Sequence, residues 1–410
     1  MNKQSHRFGI WTNGLIQFRR KILPGLLRLG QPLILLRRWL RPHQILLGQV
    51  ESVETGGRPP LAMLFSGANP SKSFFLGLAF EGSRRETDLG TVRLREVFHP
   101  GFAAEKHCAL IAVETNQSHF AWLKQDGWFF IPIWVAGGVR LPVTKEAINN
   151  NSVKNDLRKI RRLELEYSVT QDEARFADFY HHMHVPFVQK TYGDEAVFDT
   201  LAEKRAQCEK FDLLFVRKKN RPDYDLAGVL IVYEPAGPRF WSIGVRQDGV
   251  DHAREGVVAA LYHFAFEYLA PKHPWMSLGS SRAFLHDGVL NFKRKLSQSL
   301  DGGNWTGFAL KVAALTPGAK NFLLKNPFIF LADGALHAAV FVDEVLSLEK
   351  IQRLHKDYFY PGLTRLVLHT FRDEETFAPA TLPPPLAGCV TIRRASELIS
   401  SAAKIRPERS

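Results

Sequence analysis

Residues 277–295 read SLGSSRAFLHDGVLNFKRK, a strand end that turns through small polar residues into a strongly basic helix. Residues 240–247, FWSIGVRQ, form a second junction of this kind, followed by a turn and a helix that carries Gly256. In open α/β sheets such strand ends leave a crevice, and the first turn of the next helix offers free N–H groups that suit a phosphate or an oxyanion. Two such junctions in tandem predict one shared pocket.

Several blocks of the sequence resemble the GNAT superfamily of acyltransferases and, within it, the two-domain FemAB-like and CelD-like branch. The resemblance covers about residues 100–315. It implies an α/β (α+β) fold of tandem GNAT-like domains, with mixed central sheets flanked by helices. The blocks that carry it are GSSRAF at 279–284, DGV at 287–289, FKR at 292–294, NDLRKIRR at 155–162 and DFYHHMHVP at 178–186.

The length of 410 residues exceeds what one hydrophobic core usually supports, so we expect more than one domain. Short apolar runs such as Phe74–Phe80 are predicted as strands, and Asp333-Gly334 between two apolar runs predicts a hairpin. The predicted ranges are a basic amphipathic arm at 1–50, an N-terminal GNAT-like domain at 51–150, a C-terminal GNAT domain at 151–316, an α/β extension at 317–378, and a proline-rich linker with a mobile tail at 379–410.

The net charge of +13 is unevenly distributed, because residues 1–50 contain nine basic residues and no acidic one. The longest uncharged run in this arm, Leu29–Leu36, is far shorter than the roughly 20 residues that cross a bilayer. Two interpretations stay open: the arm binds an anionic membrane surface through residues 1–45, or its leucines pack on the body. The three cysteines are far apart and form no Cys-x-x-Cys pair, which favours a reducing cytoplasm.

The resemblance implies that an amine attacks an activated acyl group while backbone N–H groups of strand 240–246 stabilise the oxyanion. Many relatives use a tyrosine after the fifth strand as general acid, and this chain has Phe292 there. Lys293 is therefore the candidate proton donor, provided that its surroundings lower its pKa. His286 is the candidate base, because imidazole titrates near neutral pH. Asp287 completes the catalytic set, although its place before an apolar run favours a helix cap.

The diphosphate-binding loop of the superfamily reads Arg/Gln-x-x-Gly-x-Gly/Ala, and REGVVA at 254–259 is the nearest match. Val257 and Val258 add bulk where close backbone approach to phosphates favours small residues. Gly256 has a second interpretation, as a position of tight helix-to-sheet packing. The predicted cofactor-binding residues are Val245, Arg246, Gln247, Arg254 and Gly256.

A polar loop before the last basic helix is suited to binding a carboxylate or a phosphate, with an arginine as a two-pronged donor. The basic helix 152–163 is interpreted either as a solvated face or, by the resemblance, as a surface for an anionic ligand. His181 and His182 lie on different helix faces without a carboxylate or cysteine cluster, so no metal site is predicted. The predicted substrate-binding residues are Tyr180, His184, Ser280, Ser281, Arg282 and Arg158.

The sequence thus predicts a cytoplasmic N-acyltransferase, with membrane association at the inner face as an open alternative. Acyl-CoA is the expected co-substrate, an amine is the acceptor, and no tightly bound cofactor is expected. The resemblance makes polysaccharide or cell-envelope biosynthesis the expected context. One alternative is a Fem-type ligase that takes its donor from aminoacyl-tRNA, the one case with a nucleic-acid partner. The other is a non-catalytic GNAT-like protein that binds at the membrane surface.

Overall fold

A computed structural model describes residues 44–53, 59–80, 82–99, 101–123, 127–144, 151–193, 196, 198–247, 256–296, 298–301, 306–372 and 382–400. Most of the predicted basic arm and Arg254 lie outside these residues. The predicted fold class is confirmed, because the chain forms two mixed β-sheets flanked by helices. In the described ranges, no helix has both the length and the apolar character needed to cross a membrane.

The first sheet, as far as the chain is described, has ten strands in the spatial order β17-β16-β15-β14-β5-β13-β4-β2-β1-β3. It mixes antiparallel pairs with the parallel pairs β2–β4, β15–β16 and β16–β17. Its strands are β1 (Gln44–Ser52), β2 (Ala62–Ser66), β3 (Arg84–Arg93), β4 (Leu110–Asn116), β5 (Trp128–Pro132), β13 (Thr306–Val312), β14 (Phe328–Ala332), β15 (Ala335–Val342), β16 (Arg365–Thr370) and β17 (Val390–Arg394).

The second sheet has seven strands in the order β12-β6-β11-β10-β9-β8-β7 within the described residues. Strands β7, β8, β9 and β10 follow one another along the chain and form an antiparallel meander. A helix then leads to β11, which lies parallel to β10. The strands are β6 (Trp134–Arg140), β7 (Leu165–Thr170), β8 (Phe211–Lys218), β9 (Asp225–Glu234), β10 (Gly237–Val245), β11 (Trp275–Arg282) and β12 (Ser299–Asp301).

Helices cover the sheets and bury their apolar sides on them. They are α1 (Asn69–Ala79), α2 (Leu94–Val97), α3 (Phe102–Glu105), α4 (Gln117–Leu123), α5 (Asn151–Arg162), α6 (Glu173–Phe179), a π-helical turn (Tyr180–His184), α7 (Val185–Tyr192), α8 (Leu201–Ala206), α9 (Val257–Leu269), α10 (Gly288–Lys295), α11 (Pro317–Lys325), α12 (Leu348–Tyr358), α13 (Pro384–Ala387) and α14 (Glu397–Ser400).

Two strand paths connect the two sheets across the predicted domain boundaries. Only Ile133 separates β5, in the first sheet, from β6, in the second. Beyond β11, the Ile329 N–H donates to the Ala283 carbonyl over 2.8 Å, so the chain after β11 lies beside β14. The strands therefore do not follow the boundaries predicted at residues 150 and 316: β6 joins the second sheet and β13 the first. The predicted boundaries follow local composition, which does not specify the sheet that a distant strand enters.

Two local predictions were wrong. Phe74–Phe80 belongs mainly to helix α1, with Phe75 and Leu76 fully buried, because a short apolar run does not distinguish a buried strand from a buried helix. The predicted tail contributes β17, which pairs in parallel with β16. The hairpin prediction is confirmed: Asp333 and Gly334, with φ of 50° and 75°, connect β14 to β15.

Candidate functional site

The second sheet opens between the neighbouring parallel strands β10 and β11. Arg239 and Ser277 form the single ladder pair between these two described strands, near where both begin. Both strands carry bulges, at Trp241 against β9 and between Ser277 and Ser280 against β6. Because a bulge bends a strand and increases its twist, the ladder between the two strands does not continue beyond this pair. The facing backbone edges of residues 240–245 and 278–282 therefore do not pair with each other.

Gly279 shapes the β11 side of this opening. Its φ of 70° is a left-handed conformation that side chains other than glycine adopt at a cost. Its N–H donates to Ser277 Oγ over 3.3 Å, and a Cβ at this position would lie 3.3 Å from the Phe240 carbonyl oxygen. The bulge thus depends on a glycine at the point where β11 leaves β10.

The π-helical turn packs directly on the β10 side of the opening. At Gly244, a Cβ would lie 2.6 Å from the backbone nitrogen of His184 and 2.6 Å from the carbonyl carbon of Met183. The Arg246 N–H donates to the Leu226 carbonyl on the β9 side over 2.9 Å. Since backbone groups alternate along a strand, the N–H groups of Ile243 and Val245 point to the opposite edge, toward the opening.

His184 is the polar side chain at this edge. Its Nδ1 lies 2.8 Å from the Ile243 carbonyl oxygen, which can only accept, so Nδ1 carries the proton. Burial lowers the pKa of His184 to about 4, because desolvation outweighs the bond to Ile243. The ring is therefore neutral near pH 7, and Nε2 is an acceptor with no hydrogen-bond partner among the described residues. Its ring stacks on Phe179 with an interplanar angle of 16°.

Tyr180 lies in the same turn, as predicted, but its hydroxyl is used structurally. It donates to the Asp199 carbonyl over 2.6 Å, and burial raises its pKa. The sequence did not predict two further groups near His184, namely Lys204 on α8 and Trp241 at the β10 bulge. Neither is part of a motif, and a basic residue on a short helix predicts a solvated side chain.

Lys293 is a buried lysine behind the bulge of β11. Its Nζ donates to the Ser280 carbonyl over 2.8 Å. Burial lowers its pKa to about 8, and the charge of Asp287 opposes this shift. The condition that the sequence analysis placed on Lys293, a lowered pKa, is therefore met by desolvation.

The other two predicted catalytic residues have structural roles, which corrects the sequence analysis. Both ring nitrogens of His286 are occupied, Nδ1 by the Lys325 carbonyl at 2.9 Å and Nε2 by the Tyr358 hydroxyl at 2.8 Å. His286 thus has no free nitrogen to act as a base. Asp287 is the N-cap of α10, where it accepts the Leu290 N–H over 2.8 Å.

The predicted donor-binding residues lie at the far end of β10 and the start of α9. Val245 is fully buried, and Gln247 Nε2 donates to its carbonyl over 3.1 Å. Arg246 faces the sheet, with Nε on the Asp225 carbonyl at 3.0 Å and an ion pair to Asp178. Contrary to its predicted role in donor binding, the Arg246 guanidinium does not reach toward the opening.

Gly256 is the N-cap of α9, and a Cβ there would lie 3.0 Å from Lys159 Cδ on α5. The start of α9 and the basic helix α5 are thus neighbours. Val153 and Ile160 bury one side of α5, while Arg158 on another side is exposed and donates to Asn155. The predicted basic surface therefore adjoins the helix start that the sequence analysis assigned to phosphate.

The predicted polar loop 280–282 does not converge on one ligand position. Ser280 is exposed, whereas the Ser281 hydroxyl is buried with no hydrogen-bond partner among the described residues. The Arg282 guanidinium lies between two rings, 4.2 Å from the centroid of Phe74 and 4.0 Å from that of Trp134. This stacking connects β11 to α1 and corrects the prediction that Arg282 acts as a free anion-binding fork.

No protein-family model matches this chain, and the search of curated proteins found no match. Solved structures with some likeness include L-PGS from Bacillus licheniformis, at 12% identity over 64% of this chain and 80% of that one, with a TM-score of 0.32. FemX has 9% identity over 65% and 88% of the two chains, with a TM-score of 0.33. A tandem GNAT protein from the clavulanic acid biosynthesis pathway has 10% identity over 67% and 84%, with a TM-score of 0.27. Likeness at this level does not identify a substrate.

Proposed function

We propose that the chain is an N-acyltransferase that transfers an acyl group from an activated donor to an amine. The observation that carries this proposal is the end of backbone pairing between β10 and β11 beyond their single ladder pair, Arg239 with Ser277. It leaves main-chain N–H groups, those of Ile243 and Val245, directed at the gap. Such groups are held rigidly by the sheet, so they can stabilise an oxyanion without reorganising.

Acyl-CoA is the proposed donor. Its pantetheine arm would lie between the strands, and its diphosphate at the start of α9, where Gly256 adjoins Lys159. The helix N-terminus and the nearby lysine both favour an anion there. On the basis of the family resemblance, we extend this proposal to an acceptor amine that belongs to polysaccharide or cell-envelope biosynthesis. The reaction would take place in the cytoplasm.

The proposed reaction is a simple acyl transfer. The amine nitrogen attacks the thioester carbonyl carbon, a C–N bond forms, and the C–S bond breaks with its electron pair passing to sulfur. The carbonyl oxygen bears the negative charge in between, beside the free backbone N–H groups. One proton leaves the amine and one is added to the departing thiolate, so the products are an amide and a thiol.

One side chain is proposed to orient the amine and another to supply the proton. His184 Nε2 accepts a hydrogen bond from the incoming amine, since its ring is neutral and Nδ1 is committed to Ile243. Lys293 is the proposed proton source for the thiolate, because a lysine with a pKa of about 8 is a much stronger acid than an ordinary lysine. Its bond to Ser280 also fixes the bulge that opens the strands.

The proposal is tested by thermal unfolding with acyl-CoA thioesters of increasing chain length. A ligand at 100 times its Kd should stabilise the fold by about 2.7 kcal/mol. Gly279→Ala should abolish the response, because its Cβ meets Phe240 in the gap. Gly334→Ala is the matched control, since Gly334 has a φ of 75° with no atom within 4 Å of an added Cβ. Both variants should lose similar stability, whereas only the first should lose the thioester response.

Two results would count against the proposal. If no thioester shifts the unfolding midpoint, and liposome binding is lost on deletion of residues 1–45, the chain is a membrane-surface binding protein. If both glycine variants keep the full thioester response, the donor binds elsewhere.

A second donor is favoured by the exposed basic face of α5, namely aminoacyl-tRNA as in Fem-type ligases. The basic residues of this face are Lys154, Arg158, Lys159, Arg161 and Arg162. Binding of charged tRNA over a salt series tests it, because each phosphate contact steepens the salt dependence. A binding constant that does not change with salt excludes this donor.

A further inference from the structure

Trp241 lies between two cationic side chains on the face of the second sheet that α6, the π-helical turn and α8 cover. Lys204 Nζ is 4.7 Å from the centroid of the indole ring. The central guanidinium carbon of Arg239 is 5.4 Å from the same centroid. Trp241 is the extra residue of the β10 bulge, so this cluster belongs to the strand that forms one side of the opening.

The helix that carries Lys204 is held firmly at its start. Thr200 and Glu203 form a reciprocal capping box: the Thr200 hydroxyl accepts the Glu203 N–H, and Glu203 accepts the Thr200 N–H over 2.9 Å. Lys204 directly follows this box. Its position is therefore set by the fold, and its aliphatic stem is packed on the sheet rather than spread in solvent.

Lys204 is a largely buried cation without an ion-pair partner among the described residues. It is 6% exposed, and within the described part of the chain its Nζ has no hydrogen-bond or ion-pair partner. Burial lowers its pKa, and the charge of Asp199, an exposed residue, opposes that shift. The contact with Trp241 compensates only part of the desolvation of a charged group.

Arg239 contributes a second incompletely satisfied donor. One of its terminal nitrogens pairs with Glu234 over 2.9 Å. Its Nε is buried and has no partner among the described residues. Buried polar groups in folded proteins are almost always paired, so the unpaired Arg239 Nε, beside a lysine without an ion-pair partner, favours a bound molecule that supplies the missing acceptor.

We propose that Lys204 and Arg239 bind an oxyanion, a carboxylate or a phosphate, carried by the acceptor molecule, with its adjoining apolar part against Trp241. The assignment of this anion to the acceptor molecule rests on the function proposed above. Lys204 is close enough to His184 for its charge to lower the pKa of that imidazole. An amine that reaches His184 Nε2 would thus bear its anionic group a short distance away, as in an amino acid or a phosphorylated amine.

The role of Lys204 in ligand binding is distinguishable from a purely structural one by substitution. Lys204→Met keeps the stem and removes the charge. A lysine that stabilises the fold would leave the variant less stable, whereas a lysine held for a ligand would leave it at least as stable as the parent. Lys210→Met is the matched control, because Lys210 is exposed a short distance along the chain.

The experiment uses the full chain and two probes, inorganic phosphate and acetate, each titrated at constant ionic strength with chloride as balance. The parent protein and Lys210→Met should show a rising unfolding midpoint with at least one probe, and the stronger probe identifies the anion class. Lys204→Met should start at the same or a higher midpoint, and its apparent affinity for that probe should fall at least tenfold. Acetylation of Lys204 by an amine-reactive ester, measured by mass spectrometry, should be slower in the presence of the stronger of the two probes.

Two results overturn the proposal: a full anion response in Lys204→Met, or no response to either probe in the parent protein. The thioester titration separates this proposal from the proposed function. Lys204→Met should keep the complete acyl-CoA response, because the donor lies between the strands. An anion response without any thioester response would refute the acyl-CoA proposal and leave the oxyanion site standing.

Discussion

Replacing Gly244 by alanine should displace the π-helical turn from β10 and with it His184. The added Cβ would lie 2.6 Å from the His184 nitrogen and 2.6 Å from the Met183 carbonyl carbon. Carbon atoms in ordinary contact are about 3.5 to 4.0 Å apart, so the two backbones must move apart by roughly 1 Å. Both clashing atoms are backbone, and therefore no rotamer change relieves the contact.

The expected cost has two parts. Inserting a methyl group into a packed interface costs about 1 to 3 kcal/mol. Lengthening the 2.8 Å bond from His184 Nδ1 to the Ile243 carbonyl weakens a buried hydrogen bond, which contributes about 1 kcal/mol more. We therefore expect a loss of about 2 to 4 kcal/mol in the free energy of unfolding of the unit that contains the second sheet.

Urea unfolding followed by tryptophan fluorescence measures this loss, since Trp241 lies in the same strand. Gly77→Ala is the control, because Gly77 lies in helix α1 with no atom within 4 Å of an added Cβ. It should leave stability unchanged or raise it by up to about 1 kcal/mol. The NMR titration of His184 should also move from about pH 4 toward its ordinary range in Gly244→Ala, as the ring gains water. A Gly244→Ala protein as stable as Gly77→Ala, with an unmoved His184 titration, would refute this packing argument.

Three further perturbations test individual groups. Asp287→Ala should cost about 1 kcal/mol of stability, measured by thermal unfolding, because it removes the acceptor of the Leu290 N–H. Asp287→Asn should cost little and keep the proposed transferase activity, because an N-cap needs only an acceptor oxygen. Loss of activity in the asparagine variant would instead assign Asp287 a catalytic role. Burial lowers the pKa of His369 to about 3, so its contribution to stability is present above about pH 6.5 and is lost as the pH falls toward 3. His369→Phe should accordingly reduce the stability lost between pH 7 and pH 5 by about 2 kcal/mol in urea unfolding, and an unchanged difference would contradict the burial argument. If Lys293 is the proton donor, the transfer rate should fall as the pH rises through about 8, and Lys293→Met should remove that limb of the pH profile; its persistence would assign the proton to another group.

Local patterns in the sequence were sufficient for several features of this chain. The Asp-Gly hairpin at 333–334 and the cap at Asp287 depend on residues within a few positions of each other, and both are present. These properties are encoded in the neighbourhood of each residue, where periodicity and turn chemistry act.

Long-range contacts decided the rest. β6 enters the second sheet by pairing with β11, more than a hundred residues away, and β17 extends the first sheet. Both ring nitrogens of His286 are occupied by groups on two distant helices.

The sequence by itself therefore determined the α/β class, the local turn and cap, and the residue types available around the opening. Only the tertiary structure decided which of them are free. His184 became an acceptor, and Lys204 a buried cation, through partners on β10 that no local pattern specifies. The physical reason is that burial and pairing depend on what packs above each side chain, and that is a property of the assembled fold.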